Sequence, residues 1–223
     1  MVETVDWAGV SVTRQGLYRF FGGALLSPVP GLREALCGAV EYLDGLGLEH
    51  FPFLAEWRDL RTVLETAAGP DLNTEYVRLF ASGVDGALCP PTESWYLAEA
   101  KGGGIATLVS DVEQAYREWG FSAANSAEPP DHASTELELM SALCAREAEA
   151  WRSGVTPEVA HCLHAEDRFL RTHLAVWFPH FADRVAAVDA ASFYTAVVRT
   201  ANAFVLHEVD LVRSLVRQVE ASP

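Results

Sequence analysis

Apolar residues recur at helical spacing along almost the whole chain. In the first stretch, one face carries the apolar residues Val10, Leu17, Phe20, Phe21 and Ala24. Two prolines in Ser27–Gly31 end that stretch, and Pro179 is expected to end the helix that starts at Thr156-Pro157. The same spacing predicts further helices at about residues 32–46, 53–67, 72–80, 104–119, 137–151, 156–177 and from 189 to the C-terminus. No convincing strand hairpin or internal repeat is present, so we predict an all-α helical bundle of about eight to ten helices.

A Pro-rich elbow interrupts this pattern at Glu128-Pro129-Pro130-Asp131-His132. The two prolines prevent a continuing helix, and Asp131 is a favourable N-cap for the helix that follows. The dipole of that helix favours a neutral His132, whereas Glu136 one turn later favours the charged imidazolium. Asp131 and His132 could act as an acid–base pair, fasten the hinge or line a recognition site. No nucleophile, metal set or phosphate loop accompanies them to support catalysis.

The elbow predicts two lobes within one all-helical domain. We expect an N-terminal lobe of about residues 1–127, a hinge at 128–132 and a C-terminal lobe of about 133–223.

The composition is that of an ordinary globular protein, with 223 residues, 50% of them hydrophobic and 21% charged. No apolar run approaches the roughly 20 residues that a bilayer crossing requires, so we expect no stable membrane insertion. The segment before Trp7 holds acids but no base, which argues against a secretory signal and favours a cytoplasmic protein. Cys37, Cys89, Cys144 and Cys162 form no Cys-x-x-Cys pair, so we expect buried, reduced thiols.

The charge balance limits the partners. With 31 acidic and 16 basic residues, the formal net charge is −15. Such a surface repels nucleic-acid phosphates and attracts basic partners, so we expect no nucleic acid to bind. An acidity that serves solubility alone is the alternative.

Three other patterns suggest chemistry, and none is complete. Gly102-Gly103-Gly104 precedes a helix, but no phosphate-loop or dinucleotide motif accompanies it, so a flexible joint is favoured. Glu158 and His161 have the Glu-x-x-His spacing of di-iron bundles, with His164 nearby, but no second pair is present. No Gly-x-Ser-x-Gly elbow or activated cysteine is found. We therefore assign no catalytic residue, metal ligand or cofactor, and keep a metal-dependent oxidase using Glu158, His161 and His164 as an alternative.

Several motifs between about residues 72 and 205 recur together in a known family. They are Tyr76-x-Arg78-Leu79-Phe80, the Pro-Pro-x-Glu-Ser-x-Tyr run at 90–96, Glu128-x-Pro130-Asp131-His132 with Glu136-Leu137, the run from Phe169 through Trp177 to Phe181, and Phe193-Tyr194. In this order and spacing, they resemble the TorD/DmsD/NarJ family of molybdoenzyme chaperones, also called redox enzyme maturation proteins.

The resemblance implies an all-helical, cytoplasmic chaperone that is not an enzyme. Members bind the twin-arginine signal peptide, or a related N-terminal segment, of a molybdenum-cofactor enzyme of the dimethyl-sulfoxide-reductase superfamily. They hold export or assembly back until the cofactor is inserted, so the implied partners are that signal peptide and the apo form of the enzyme. A structural subunit of a redox complex is another alternative.

Some details of the family stay open for this chain. Some members bind guanine nucleotides weakly, which the missing phosphate loop disfavours here. Glu93-Ser94-Trp95 departs from the Trp-Gly-Ser form of some members, so the client need not be a trimethylamine-oxide or dimethyl-sulfoxide reductase. The sequence decides neither between a monomer and a domain-swapped dimer nor whether the client is exported.

The site implied by the resemblance lies around the elbow. Its hinge falls on Glu128, Pro129, Pro130, Asp131 and His132, and its peptide-contact region on Tyr76, Leu79, Phe80, Pro90, Pro91, Ser94 and Tyr96. A receptor for adjacent arginines joined to an apolar segment needs carboxylates beside an apolar groove. We expect Tyr76, Leu79, Phe80 and Tyr96 to pack the apolar segment. We expect Glu93, as a charge at the rim, to meet the arginines together with Asp131 and Glu136, and we expect His132 to line the peptide-binding site.

Overall fold

The fold is helical throughout the part of the chain that the structure describes. This computed structural model describes residues 5–48, 51–66, 72–81, 86–101, 104–122, 128–189 and 192–221. Within these ranges the only pairing of extended backbone is an isolated antiparallel bridge between Thr92 and His132. None of the helices in these ranges has the length and hydropathy that a membrane span requires. The all-α prediction is confirmed.

The helices follow one another in a simple order along the chain. They are α1 (Trp7–Ala24), α2 (Leu32–Asp44), α3 (Leu54–Thr66), α4 (Leu72–Tyr76), α5 (Glu93–Lys101), α6 (Gly104–Glu118), α7 (Ala133–Ser153), α8 (Thr156–Phe169), α9 (Ala175–Val188) and α10 (Phe193–Glu220). Short π-helical turns, Val77–Ala81 and Leu170–Leu174, directly follow α4 and α8. Gly102 and Gly103, where we expect a flexible joint, lie outside the described residues.

The structure differs from the predicted helices at two points. Helix α5 has no strong apolar stripe, and the sequence pattern did not reveal it. The prediction that Pro179 ends a helix is wrong, because Pro179 lies inside α9. The buried side chains of Trp177, Phe178 and Phe181 surround it, and their packing outweighs the hydrogen bond that proline cannot donate.

Helix α1 packs along α7 and joins the two sides of the elbow. At Gly22 the helices approach so closely that an added Cβ would lie 3.4 Å from the backbone oxygen of Ser134. Helix α10 packs against α3, α8 and α9, and its Phe204 contacts the rings of Tyr18 and Phe21. One hydrophobic cluster thus contains residues from before and after the elbow. The division into two lobes stays a prediction.

A buried ionic network holds four helices together. Arg14 of α1 is 0% exposed, and its guanidinium contacts carboxylates on α7, α8 and α10. Its nitrogens lie 2.5 Å from Glu147, 2.5 Å from Glu166 and 2.8 Å from Glu208. One cation faces three carboxyl groups, so the cluster holds excess negative charge. Burial, which outweighs the attraction of Arg14, raises the pKa of Glu166 to about 8.

The cysteines are free thiols. Cys89, Cys144 and Cys162 are buried as predicted, whereas Cys37 is only half-buried. Burial raises the pKa of Cys162 to about 12, which keeps it protonated and unreactive at neutral pH.

Candidate functional site

The elbow is a tight, fully bonded turn. The backbone N–H of His132 donates to the oxygen of Pro129 over 3.1 Å, and the Thr135 hydroxyl donates to the same oxygen over 3.1 Å. From α6, the Tyr116 hydroxyl donates to the oxygen of Pro130 over 2.6 Å. These bonds fix the elbow to α6 and to the start of α7.

Asp131 caps a helix that is remote in sequence. Its backbone oxygen accepts from the N–H of Glu93, and its Oδ2 accepts from the N–H of Ser94, each over 2.9 Å. The first amides of α5 are thereby satisfied, and the carboxylate lies at the positive end of that helix. The prediction that Asp131 caps α7 is wrong, because the residue at that N-cap position is His132. Asp131 therefore fastens α5 to the elbow.

His132 is a neutral, buried cap. Its Nδ1 accepts from the N–H of Ser134 over 3.1 Å, so the ring proton lies on Nε2. Burial lowers the pKa of His132 to about 4, against the opposing charge of Asp131. At neutral pH His132 serves the structure of the turn and carries no charge toward a ligand.

Two buried carboxyl groups face each other behind the elbow. Glu93 of α5 and Glu136 of α7 are each 0% exposed. His173, in the second π turn, lies 2.9 Å from Glu93 through its Nδ1, and the Trp177 indole N–H donates to Glu136 Oε2 over 3.0 Å. Burial first, then the charge of Glu93, raises the pKa of Glu136 well above its ordinary value. Glu93 is buried, so it is not the charge at the rim that we expected.

The predicted apolar anchors are packed in the core. Tyr76, Leu79 and Phe80 are buried, and the Phe80 ring lies 5.8 Å from that of Phe181 and 5.2 Å from that of Tyr194. Tyr96 is half-buried and stacks on Trp177 at 5.7 Å. Of the other predicted contacts, Pro91 and Ser94 are buried and Pro90 is half-buried.

Contacts link the anchors to the carboxyl pair. The ring of Phe181 touches both Phe80 and Tyr96, and Trp177 touches Tyr96 while it bonds Glu136. The structure thus brings most of the predicted site residues together in one continuous cluster.

The cluster has an exposed apolar edge that sequence reasoning missed. Trp95 of α5 is 47% exposed and Leu88 is also exposed. The Arg184 guanidinium lies 4.6 Å from the centre of the Trp95 ring and donates to the Leu88 backbone oxygen. Trp95 stands within a predicted motif, but the pattern carries no sign that its side chain points outward.

A cleft of about 280 Å³ lies beside His173, the residue that contacts Glu93. Side chains of α6, α7, α8 and the second π turn form its walls, and His173 is among them. His173 is a second residue without a role in the sequence prediction, because its partner Glu93 is 80 positions away.

The alternative metal site is not assembled in the described residues. Glu158, His161 and His164 do not bring ligand atoms together, and all three are exposed. The group of ligand atoms that does converge is Cys144, Glu147 and Glu166, within 4.8 Å of one another. Arg14 already bonds both carboxylates of that group, so the buried ionic network accounts for it.

Residues 52–183 match the protein family described as nitrate reductase delta subunit. The chain belongs to this family. The matched segment contains the elbow, the carboxyl pair and the cleft, and it confirms the resemblance seen in the motifs.

Three proteins that are similar to this chain are named as chaperones. Chaperone protein TorD of Vibrio cholerae is 29% identical over 94 residues, which are 42% of this chain and 41% of the relative. The selenate reductase assembly chaperone protein of Thauera selenatis is 35% identical over 127 residues, 48% of this chain and 65% of the relative. The chlorate reductase assembly chaperone protein of Ideonella dechloratans is 30% identical over 155 residues, 66% of this chain and 76% of the relative. The chain thus matches about two fifths of the length of the TorD relative.

A solved structure shares the fold. The crystal structure of a redox enzyme maturation protein from Archaeoglobus fulgidus has a TM-score of 0.54 and 22% identity, covering 86% of this chain and 93% of that one.

Proposed function

We propose that this chain is a cytoplasmic chaperone, not an enzyme, that matures a molybdenum-cofactor oxidoreductase of the dimethyl-sulfoxide-reductase superfamily. It binds the N-terminal, twin-arginine-type segment of the client, assists cofactor insertion and assembly, and delays export until they are complete. Membership of the family and the names of its relatives, which assemble selenate and chlorate reductases, support this role.

The single observation that carries the proposal is the buried carboxyl pair beside an aromatic cluster. Glu136 Oε1 is buried and has no hydrogen-bond partner among the described residues, and a bidentate guanidinium is a strong partner for a carboxylate. Glu136 lies next to Trp177, and Trp177 packs against Tyr96 at the edge of α5. An arginine bound at the pair would therefore place the following apolar residues near the aromatic rings.

The apolar segment of the client would meet the cluster at its exposed edge. Trp95 and Leu88 offer the first contact, because they are the exposed apolar residues next to Tyr96 and Arg184. Contact with Tyr76, Leu79 and Phe80 requires the first π turn to separate from α9 and α10, since these side chains are buried. Binding at those anchors therefore follows a separation of the first π turn from α9 and α10.

Replacing Trp95 by alanine should weaken peptide binding with little effect on the fold. The probe is a synthetic leader peptide with two adjacent arginines ahead of an apolar helix-forming segment. Loss of an aromatic anchor typically costs about 2 kcal/mol, so Trp95→Ala should raise the Kd by at least about tenfold in calorimetry. The control is Leu206→Ala on α10, since Leu206 is 46% exposed and lies outside the site.

Equal affinities of the wild type, Trp95→Ala and Leu206→Ala would rule out the edge of α5 as the peptide contact. Failure of the wild type to bind the leader peptide would contradict the proposed function itself.

A further inference from the structure

A groove of about 860 Å³ lies beside the first turns of α1. Its walls come from the start of α1, the segment between α2 and α3, the end of α7 and the middle of α10. It shares no lining residue with the cleft beside His173 or with the candidate site. Of the described residues that line it, only Arg152 falls within residues 52–183, the segment that matches the family. The proposed function therefore leaves this groove without a role.

The walls of the groove are mainly apolar and lie below the surface. The larger apolar side chains that line it are those of Trp7, Val10, Phe51 and Leu211, and each is half-buried. A protein-docking surface presents exposed apolar side chains, whereas no apolar residue in this lining is exposed. Small-molecule sites have volumes of about 300–1,000 Å³ and mostly apolar walls. Both properties of the groove favour a small ligand over a protein partner.

Two polar side chains of the groove are already bonded within α1. The Thr13 hydroxyl donates to the Gly9 backbone oxygen over 3.1 Å, and Asp6 Oδ1 accepts from the Gly9 N–H over 3.0 Å. The Asp6 carboxylate also lies at the positive end of the α1 dipole, which offsets its charge. The α1 wall therefore offers a ligand mainly apolar surface.

The other titratable groups in the lining are Arg152 and His207. His207 is half-buried and forms no hydrogen bond among the described residues. Burial first, then the charge of Arg14, lowers the pKa of His207, so its imidazole is neutral at neutral pH. The Arg152 side chain is 53% exposed, and its ion pair with Glu149 spans 3.7 Å, which is too long for a hydrogen bond. Arg152 is thus the one cation among the described lining residues, and its N–H donors are available.

We propose that the groove binds a small amphipathic anion, an apolar chain that ends in a carboxylate. The chain packs against Trp7, Val10 and Leu211, and the carboxylate accepts charge-assisted hydrogen bonds from the Arg152 guanidinium. Because the whole chain carries a net charge of −15, an anion binds only where a local cation offsets that charge. Arg152 therefore fixes the orientation of the ligand.

Decanoate and decanol, two probes of equal chain length, test the proposal. In calorimetric titrations of the full chain, both should bind and decanoate should bind more tightly, because only decanoate pairs with a guanidinium. A bromine-labelled decanoate should also quench part of the tryptophan fluorescence, since Trp7 lines the groove and lies 6.3 Å from the Trp151 ring. Trp7→Phe should lose part of this quenching while it retains an aromatic wall.

Two variants separate the charge from the apolar walls. Arg152→Gln should raise the Kd for decanoate about three- to fivefold and leave the Kd for decanol unchanged, as is typical of an exposed charge pair. Leu211→Gln places a polar group in the apolar wall, so it should weaken the binding of both probes about tenfold. The matched controls are Arg213→Gln and Leu206→Gln, because both residues are exposed on α10 and lie outside the lining. Neither control should change the affinities, and circular dichroism checks the fold of each variant.

The contradicting results are specific. Equal affinities of decanoate and decanol, or an unchanged Kd for decanoate in Arg152→Gln, would overturn the anionic ligand. Failure of both probes to bind the wild type would overturn the groove as a ligand site. A dimer in sedimentation that Leu211→Gln dissociates, without binding of either probe, would assign the groove to a second copy of the chain and overturn the proposal too. The proposed function does not depend on these results.

Discussion

Arg14→Met should lower the free energy of unfolding by about 3–5 kcal/mol. Methionine keeps much of the apolar stem but removes the guanidinium that contacts Glu147, Glu166 and Glu208. Three buried carboxyl groups then remain without their cation. Chemical denaturation followed by circular dichroism measures the loss.

The pH dependence of the free energy of unfolding tests whether the buried carboxyl groups cause this loss. The folded chain keeps a proton on Glu166 up to a pKa of about 8, whereas the unfolded chain releases it near 4.5. The wild type should therefore lose stability as pH rises through this window. Without Arg14 the carboxyls bind protons more tightly in the folded state, so the variant should lose stability more steeply. The difference in the free energy of unfolding between the wild type and Arg14→Met should shrink as pH falls.

Arg19→Met on the same helix is the matched control. Arg19 is exposed, so its replacement should change the free energy of unfolding by no more than about 0.5 kcal/mol. If Arg14→Met costs as little as Arg19→Met, the buried network does not hold the four helices together.

Trp177→Ala should destabilise the fold by about 3–5 kcal/mol. The indole is fully buried and contacts the rings of Tyr96, Phe178 and Phe181. Its removal leaves a cavity and also deprives Glu136 of its N–H donor. Thermal and chemical unfolding both report the effect.

The control is the same substitution at an exposed tryptophan. Trp95→Ala removes an indole that is 47% exposed, so it should cost no more than about 1 kcal/mol. Similar losses for the two variants would contradict the central position that we assign to Trp177.

The sequence predicted much of the fold because helical periodicity is a local signal. The stripes in α1, α6 and α10 follow directly from apolar spacing. Prediction from the sequence failed at α5 and at Pro179, because contacts with distant parts of the chain decide the local structure there. The cap of α5 comes from Asp131, 37 residues away from Ser94. No local pattern contains that contact.

The candidate site was only partly predictable for the same reason. Motifs named Glu93 and Glu136, but a pattern of residue types does not show burial. The two carboxyls come close together because Asp131 fastens the start of α5 to the elbow that precedes α7. His173 gains its role through a contact with Glu93 across 80 positions.

The most direct test of the chaperone role is co-purification with the client at two stages of maturation. The chain, carrying an affinity tag, is expressed with a molybdoenzyme whose leader peptide it binds, with molybdate supplied in one culture and withheld in the other. We expect the tagged chain to retain the cofactor-free enzyme and to be absent from the mature one. Stable association with the mature enzyme, or with neither form, would contradict the account.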